Sequence, residues 1–260
     1  TTTMKMLLGL TKPTSGEVKI WGKSLQGNEK KLLPRIGSLI ESPGFYPNLT
    51  ATENLQIFAT LRGIPNRHSI KNTLDLVGLP YKDKKLFSQY SLGMKQRLAI
   101  ALAVMHDPEL LILDEPIDGL DPVARKLVWK YIIDDVAQRN LTVLISSHNL
   151  KELEGIVDHV GILYKGKIMK EFDLEYIQTH IHKIQGSFGD KEVHLDDLNI
   201  AYQEERGSVK ILIIEDSLSN IRKVIGDQSP LIFDILPLSL EELFIYEVGG
   251  EDDDVQKLIF

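Results

Sequence analysis

The sequence predicts an α/β protein in which a parallel-sheet core with a helical subdomain precedes a small α+β appendage. Three observations predict it. Leu110-Leu111-Ile112-Leu113 is a continuous apolar run ending in two acids, which reads as a buried parallel strand. A helical stretch over about 122–138 leads to a second buried strand at Leu141–Ile145, and strand, helix, strand at this spacing is a βαβ unit. Beyond about Asp173 the texture changes to short strands and helices.

In chain order, Thr1 to Leu10 reads as a helix ending at Gly9. Gly16 to Trp21 alternates like a strand closed by Gly22, and Ile36 to Ile40 is a second short strand before the loop Glu41-Ser42-Pro43-Gly44-Phe45-Tyr46-Pro47. From Ala51 to about Met105 the pattern is helical, broken by the turn signals Gly63-Ile64-Pro65 and Gly78-Leu79-Pro80. Val157–Leu163 and Lys167–Phe172 form a closing hairpin around Lys165-Gly166. The appendage reads as a strand at Val209–Ile214, a helix at Ser217–Ile225, a strand at Leu231–Ile235 and a helix at Leu238–Tyr246. The acidic run Glu251-Asp252-Asp253-Asp254 is expected to be solvated and frayed. Domain boundaries follow: a core at 1–172, its helical subdomain at about 51–106, and an accessory domain at 173–260.

Composition excludes several classes. A chain of 260 residues, 43% hydrophobic and 26% charged, can bury a sizeable core, so intrinsic disorder is ruled out. With no cysteine it has no disulfide, thiolate metal site or cysteine nucleophile. A net charge of −7 without a basic block makes it a poor carrier of nucleic acid. No apolar stretch approaches the length that spans a bilayer.

The chemistry concentrates at strand ends. Asp114 and Glu115 emerge at the carboxyl end of the apolar run, where open α/β sheets bind ligands. One carboxylate there can hold hydrated Mg²⁺ and the next can polarise a water; a polar strand end before a turn is the plainer alternative. Ser91-Leu92-Gly93-Met94-Lys95-Gln96-Arg97 opens a long helix, and its Ser hydroxyl and Gly-exposed backbone suit either an anion site or an ordinary N-cap. His148 follows Ser146-Ser147 at the next strand end, placed to donate to a terminal phosphate or to serve structure. Gly119-Leu120-Asp121-Pro122 is a turn and N-cap whose Asp121 could also reach a neighbouring subunit.

Taken in this order, the four motifs resemble the nucleotide-binding subunit of an ABC transporter, a P-loop NTPase cassette, over Thr1 to about Phe172. The resemblance implies that Asp114 is the Walker B acid and Glu115 the catalytic glutamate. It puts Ser91 and Gly93 in the signature motif, Gly119 to Asp121 in the D-loop and His148 in the switch loop. Thr1-Thr2 would directly follow a Walker A lysine, so Thr1 takes the place of the Mg²⁺-binding hydroxyl. The Walker A glycines and lysine are not in this sequence, no Met precedes Thr1, and the natural chain is expected to begin upstream. Glu41 stands at the Q-loop position where most relatives have Gln, and the signature reads Tyr90-Ser91-Leu92-Gly93-Met94.

The segments Ile40 to Leu55 and Tyr90 to Leu98 look like the bacitracin-export and lantibiotic-immunity type of bacterial ATPase, of which a Q-loop Glu is a feature. This resemblance implies ATP and Mg²⁺ as cofactors and amphipathic peptide antibiotics as cargo. It also implies a membrane permease and a second nucleotide-binding subunit, as a homodimer, for partners, at the cytoplasmic face of the membrane. Thr1, Glu41 and Asp114 would hold the metal. Thr1, Thr2, Glu41, Ser91, Gly93 and Asp121 would contact nucleotide, with Glu115 as base and His148 on the γ-phosphate. The alternatives are a soluble ATPase of the same superfamily working on ribosomes or DNA, and a non-hydrolysing regulatory module. Phe45 and Tyr46 are expected either at the permease interface or packing their loop down.

Overall fold

The computed structural model describes residues 1–41, 43–64, 67–189 and 194–249. Ser42, Pro65 and the acidic run at 251–254 therefore lie outside the described residues. By proximity the chain divides into two units, Thr1–His148 and Asn149–Phe260. The hairpin assigned by sequence to the core thus groups with the second unit.

The first unit begins with helix α1 (Thr2–Leu7), which buries Met4 and Leu8 against Ile20, Leu32, Ile36 and Ile112. That i, i+4 apolar pair fixes the rotation of α1 and turns Thr1 and Lys5 together to another face. The expected strand at 16–21 is shorter: β1 (Lys19–Ile20) and β2 (Lys23–Ser24) form a two-residue hairpin through Trp21-Gly22, both at positive φ. A short helix, α2 (Glu29–Leu32), precedes β3 (Ile36–Leu39).

The helical stretch resolves into α3 (Ala51–Leu61), α4 (Arg67–Leu76) and α5 (Leu92–Val104). Thr50 and Glu53 close a capping box on α3, satisfying two backbone N–H groups reciprocally. Asn54, fully buried, accepts from Tyr46 N at 2.8 Å and donates to Tyr46 O and Thr50 O at 3.1 and 3.0 Å. It thereby staples the loop that follows Glu41. Phe45 is buried against Phe58 and Phe87, whereas Tyr46 is 49% exposed. The two aromatics therefore split the two roles expected of them: Phe45 packs the loop and Tyr46 stays available. His106, just after α5, accepts from Arg62 at Nδ1 and donates from Nε2 to Ile36 O; burial first, then the Arg62 charge, push its pKa down to about 4.

Strand β4 (Leu110–Asp114), helix α6 (Pro122–Arg139) and strand β5 (Thr142–Ser146) make the expected βαβ unit. The sheet order is β3-β4-β5, all parallel. Leu111, Ile112 and Leu113 are completely buried because β4 is central, and truncating one of them to Ala costs about 2–5 kcal/mol. Gly37 of β3 admits α5 closely: a Cβ there would collide with the backbone oxygen of Ala103. One expectation is corrected. β5 is not a buried strand, since Thr142 and Leu144 are exposed, and only Leu141 just before it is buried. Among the described residues β5 pairs with β4 alone, and a strand with one neighbour leaves its other edge open.

The second unit carries α7 (Leu150–Leu153) and the expected hairpin, β6 (His159–Tyr164) and β7 (Lys167–Asp173), turning through Lys165-Gly166 at positive φ. Helix α8 (Leu174–His180) is capped by Asp173. It leads into β8 (Ile181–Ser187), β9 (Ile200–Arg206), β10 (Val209–Glu215), α9 (Leu218–Asp227), β11 (Ile232–Leu236) and α10 (Leu240–Gly249). The strands form an antiparallel sheet in the order β11-β8-β10-β9. Ile184, Leu212, Ile214, Ile221 and Ile225 fill the space between this sheet and α9.

Candidate functional site

The carboxyl ends of β4 and β5 lie side by side because parallel pairing sets Asp114 opposite Ser146. Ser146 Oγ donates to Asp114 Oδ1 at 2.6 Å, and Thr1 Oγ1 donates to Asp114 Oδ2 at 2.5 Å. Thr1 occupies the N-cap position of α1 but makes no cap bond, so its hydroxyl is spent on the carboxylate instead. Burial works to raise the Asp114 pKa. The hydrogen bonds from the Ser146 and Thr1 hydroxyls act against it, and the carboxyl is held below its usual range. A hydroxyl and an ionised carboxylate converging this way are hard oxygen donors of the kind Mg²⁺ takes.

Glu115 follows in a left-handed conformation, φ 47°. Its N–H donates to both Ser146 O and Ser146 Oγ at 3.2 Å, which anchors the turn. Its Oε2 accepts from the His148 backbone N–H at 3.3 Å and meets His148 Nδ1 at 3.0 Å. On the other side of the ring, Asp118 Oδ1 lies 3.9 Å from His148 Nε2. The imidazole pKa is raised by the hydrogen bond to Glu115, then by the charges of Glu115 and Asp118. Glu115, Asp118 and His148 offer three ligand atoms within 4.8 Å of one another, with the His148 ring engaged by Glu115 at 3.0 Å.

The remaining expected site residues stand on helix starts and loops. Ser91 is the N-cap of α5, its Oγ accepting from Met94 N at 3.3 Å, and it remains exposed. Gly93 lies in the first turn of α5, facing Gly119 O and Leu120. Asp121 caps α6, its Oδ1 accepting from Val123 N and Ala124 N at 3.0 Å each, and these bonds lower its pKa. Thr2 is exposed in the first turn of α1. Glu41, at φ 58°, is 64% exposed in its side chain, and its carboxylate is taken by Lys5 Nζ at 2.5 Å. The structure thus brings together Thr1, Asp114, Ser146, Glu115 and His148, while Glu41 is engaged by a lysine that sequence reasoning overlooked. Asp118 and Gln96 were also missed: Asp118 lies one residue before the recognised turn, and Gln96 reads as an ordinary helix polar residue.

The family description "ABC transporter" matches residues 1–118. The bacitracin transport ATP-binding protein BcrA of Bacillus licheniformis is 40% identical over 96% of this chain and 85% of its own length. The lantibiotic transport ATP-binding protein SrtF of Streptococcus pyogenes is 42% identical over 66% of this chain and 74% of its own. A solved ATP-binding subunit of an ABC transporter is 28% identical and superposes with a TM-score of 0.61 over 68% of this chain and 75% of its own. A dimeric cassette solved with ADP and Pi shares the fold at 22% identity and a TM-score of 0.60, over 66% of this chain and 79% of its own. No helix among the described residues is long and apolar enough to cross a membrane. By these likenesses, the chain belongs to the ATP-binding ATPases of ABC transporters.

Proposed function

We propose that the chain hydrolyses ATP to drive export of amphipathic peptide antibiotics of the bacitracin or lantibiotic type. It would do so with a separate membrane permease, against which it sits peripherally at the cytoplasmic face. The observation that carries the catalytic part is the Glu115–His148 pair, 3.0 Å between Nδ1 and Oε2, set beside Asp114 with its two hydroxyl donors. The cargo class is supported by likeness to the bacitracin and lantibiotic relatives, since fold alone does not carry substrate.

In this reading Thr1 and Asp114 would hold Mg²⁺, which when bound would neutralise charge on the phosphates. Glu41, paired with Lys5, would be a further ligand if that pair opened. Glu115 accepts the proton of the water that attacks the γ-phosphorus, and ADP leaves as the oxygen bridge breaks. His148, its pKa raised by Glu115 and Asp118, donates to a γ-phosphate oxygen as charge builds there. Thr2 contacts nucleotide alongside Thr1. Two copies share two nucleotides, with Ser91 and Gly93 of one copy facing the nucleotide of the other and Asp121 near the copy-to-copy boundary. Closure of this pair is the mechanical step, delivered to the permease near Glu41 to Tyr46. The accessory domain, 173–260 in the sequence-based division, stabilises the pair.

The test is deletion of the gene followed by growth against bacitracin, several lantibiotics and unrelated toxic compounds. Hypersensitivity confined to peptides supports the proposal. Unchanged sensitivity to every peptide, with a defect in handling another solute, defeats the cargo assignment. A translation or DNA-repair defect without any transport defect defeats the transporter role.

A further inference from the structure

Glu115 is held by more than its histidine. Its N–H is fixed from the β5 side by Ser146, and its own C=O faces Gln96 Nε2 at 3.5 Å. The same Nε2 donates to Pro116 O at 2.9 Å. Pro116 is buried and has no N–H, so its carbonyl is the handle by which a neighbour can grip this peptide. A left-handed residue such as Glu115 keeps its conformation only where its surroundings over-determine it.

Gln96 stands in the second turn of α5. In the first turn, Leu92 covers Gly119: a Cβ at Gly119 would lie 2.5 Å from Leu92 Cδ2 and 2.9 Å from Cγ. Gly119 is at φ 72°, and Gly93 faces its carbonyl oxygen. Residues 92, 93 and 96 share one side of the helix, and each approaches the segment 115–120, with Leu92 itself 66% exposed. Ser91, the cap of the same helix, is at the exposed end of this contact.

We propose that Gln96 is a positioning residue for Glu115, and that Leu92 and Gln96 together fasten the start of α5 to the segment carrying the base. The inference rests on the reading of Glu115 as base given above. Its consequence is a link between sites: a nucleotide of a second copy contacting Ser91 bears on α5, and α5 bears on the Glu115 of its own chain. The backbone of Glu115, and with it the direction of the carboxylate, follows the first two turns of the helix.

The experiment uses the protein produced from its complete reading frame and measures ATP turnover and thermal midpoint. Gln96→Met and Gln96→Glu keep the length of the side chain and remove the donor. Each is expected to lower kcat about 10- to 100-fold with KM for ATP within about twofold, the pattern of a misplaced base. A role confined to packing would leave kcat intact in Gln96→Met, and parental kcat there overturns the proposal. If Gln96→Met fails to fold, a second pair decides. Gly119→Ala is expected to lower kcat through both the strain of its left-handed backbone and the contact of its Cβ with Leu92, and adding Leu92→Ala, which relieves only the contact, is expected to recover at least about threefold of the loss. No recovery overturns the contact. Glu115→Gln is run alongside. Normal turnover in that variant removes the base assignment itself, whereas an inactive Glu115→Gln with a fully active Gln96→Met removes only the role of Gln96.

Discussion

Thr1 and Lys5, one turn apart on α1, each take a carboxylate: Thr1 Oγ1 meets Asp114 Oδ2 and Lys5 Nζ meets Glu41 Oε1, both at 2.5 Å. One helix face therefore bridges the end of β4 and the loop after β3. If both carboxylates serve the metal, disturbing the two contacts has opposite effects. Thr1→Val is expected to raise the half-saturating Mg²⁺ for ATPase about tenfold, by removing a ligand. Lys5→Met is expected to lower it about threefold by freeing Glu41. Loss of an exposed pair of this kind changes stability by less than about 1 kcal/mol, so thermal midpoints check that the effect is local. An unchanged Mg²⁺ requirement in Lys5→Met would remove Glu41 from the metal site.

His148 and His106 are expected to titrate on opposite sides of the ordinary imidazole value. His148 is raised, so the stability from its pairing is fully present below the unfolded value of 6.5 and is lost as pH climbs through the higher folded value. His106 is depressed to about 4, so the unfolded state binds its proton first and stability is lost as pH falls from 6.5 towards 4. Proton NMR of the two rings gives both values. Asp118→Asn is expected to lower the pKa of His148 and leave His106 where it is. Glu115→Gln is expected to lower His148 further, because Glu115 supplies the two largest contributions.

Asn54 and Tyr46 separate stability from coupling. Asn54→Ala strips a fully buried staple from the loop at 46–50 and is expected to cost about 2–4 kcal/mol in urea unfolding. Tyr46→Ala removes an exposed ring and is expected to change stability by less than about 0.5 kcal/mol. Its effect belongs in transport, as a loss of permease-stimulated ATPase with the unstimulated rate kept.

Ser91→Arg tests the shared-site geometry. The residue caps α5 and is exposed, so a large side chain there can be accommodated by a single copy. ATP-dependent dimerisation in size-exclusion runs is expected to disappear, with monomer ATP affinity within about threefold of the parent. The lost cap alone costs about 1 kcal/mol and is read separately by thermal midpoint. Equal loss of monomer affinity would put Ser91 in its own chain's pocket.

The parallel core was legible because β4 is buried on both faces and so prints as an unbroken apolar run. β5 carries a similar run, Leu141 to Ile145, but composition does not say whether a strand has two neighbours or one, and among the described residues this one has one. One of the two inner strands of the second unit's four-stranded sheet, β8, was illegible for the converse reason. β8 reads Ile-His-Lys-Ile-Gln-Gly-Ser, and it buries His182 and Ser187, with the His182 ring bonded to Thr179 O at 3.1 Å. Polar residues satisfied inside a sheet erase the pattern that marks a strand. At the site, Asp114, Glu115 and His148 were legible from their positions at strand ends. Lys5, Gln96 and Asp118 were not, because each acts through a partner far along the chain, respectively Glu41, the carbonyls of Glu115 and Pro116, and His148.

The most direct measurement is single-turnover ATP hydrolysis by Glu115→Gln in the protein produced from its complete reading frame. The account predicts a fall of at least about 100-fold with ATP affinity kept, and an ATP-bound dimer that dissociates slowly in size-exclusion runs. Turnover at the parental rate would contradict it, because Glu115 would then not be the base.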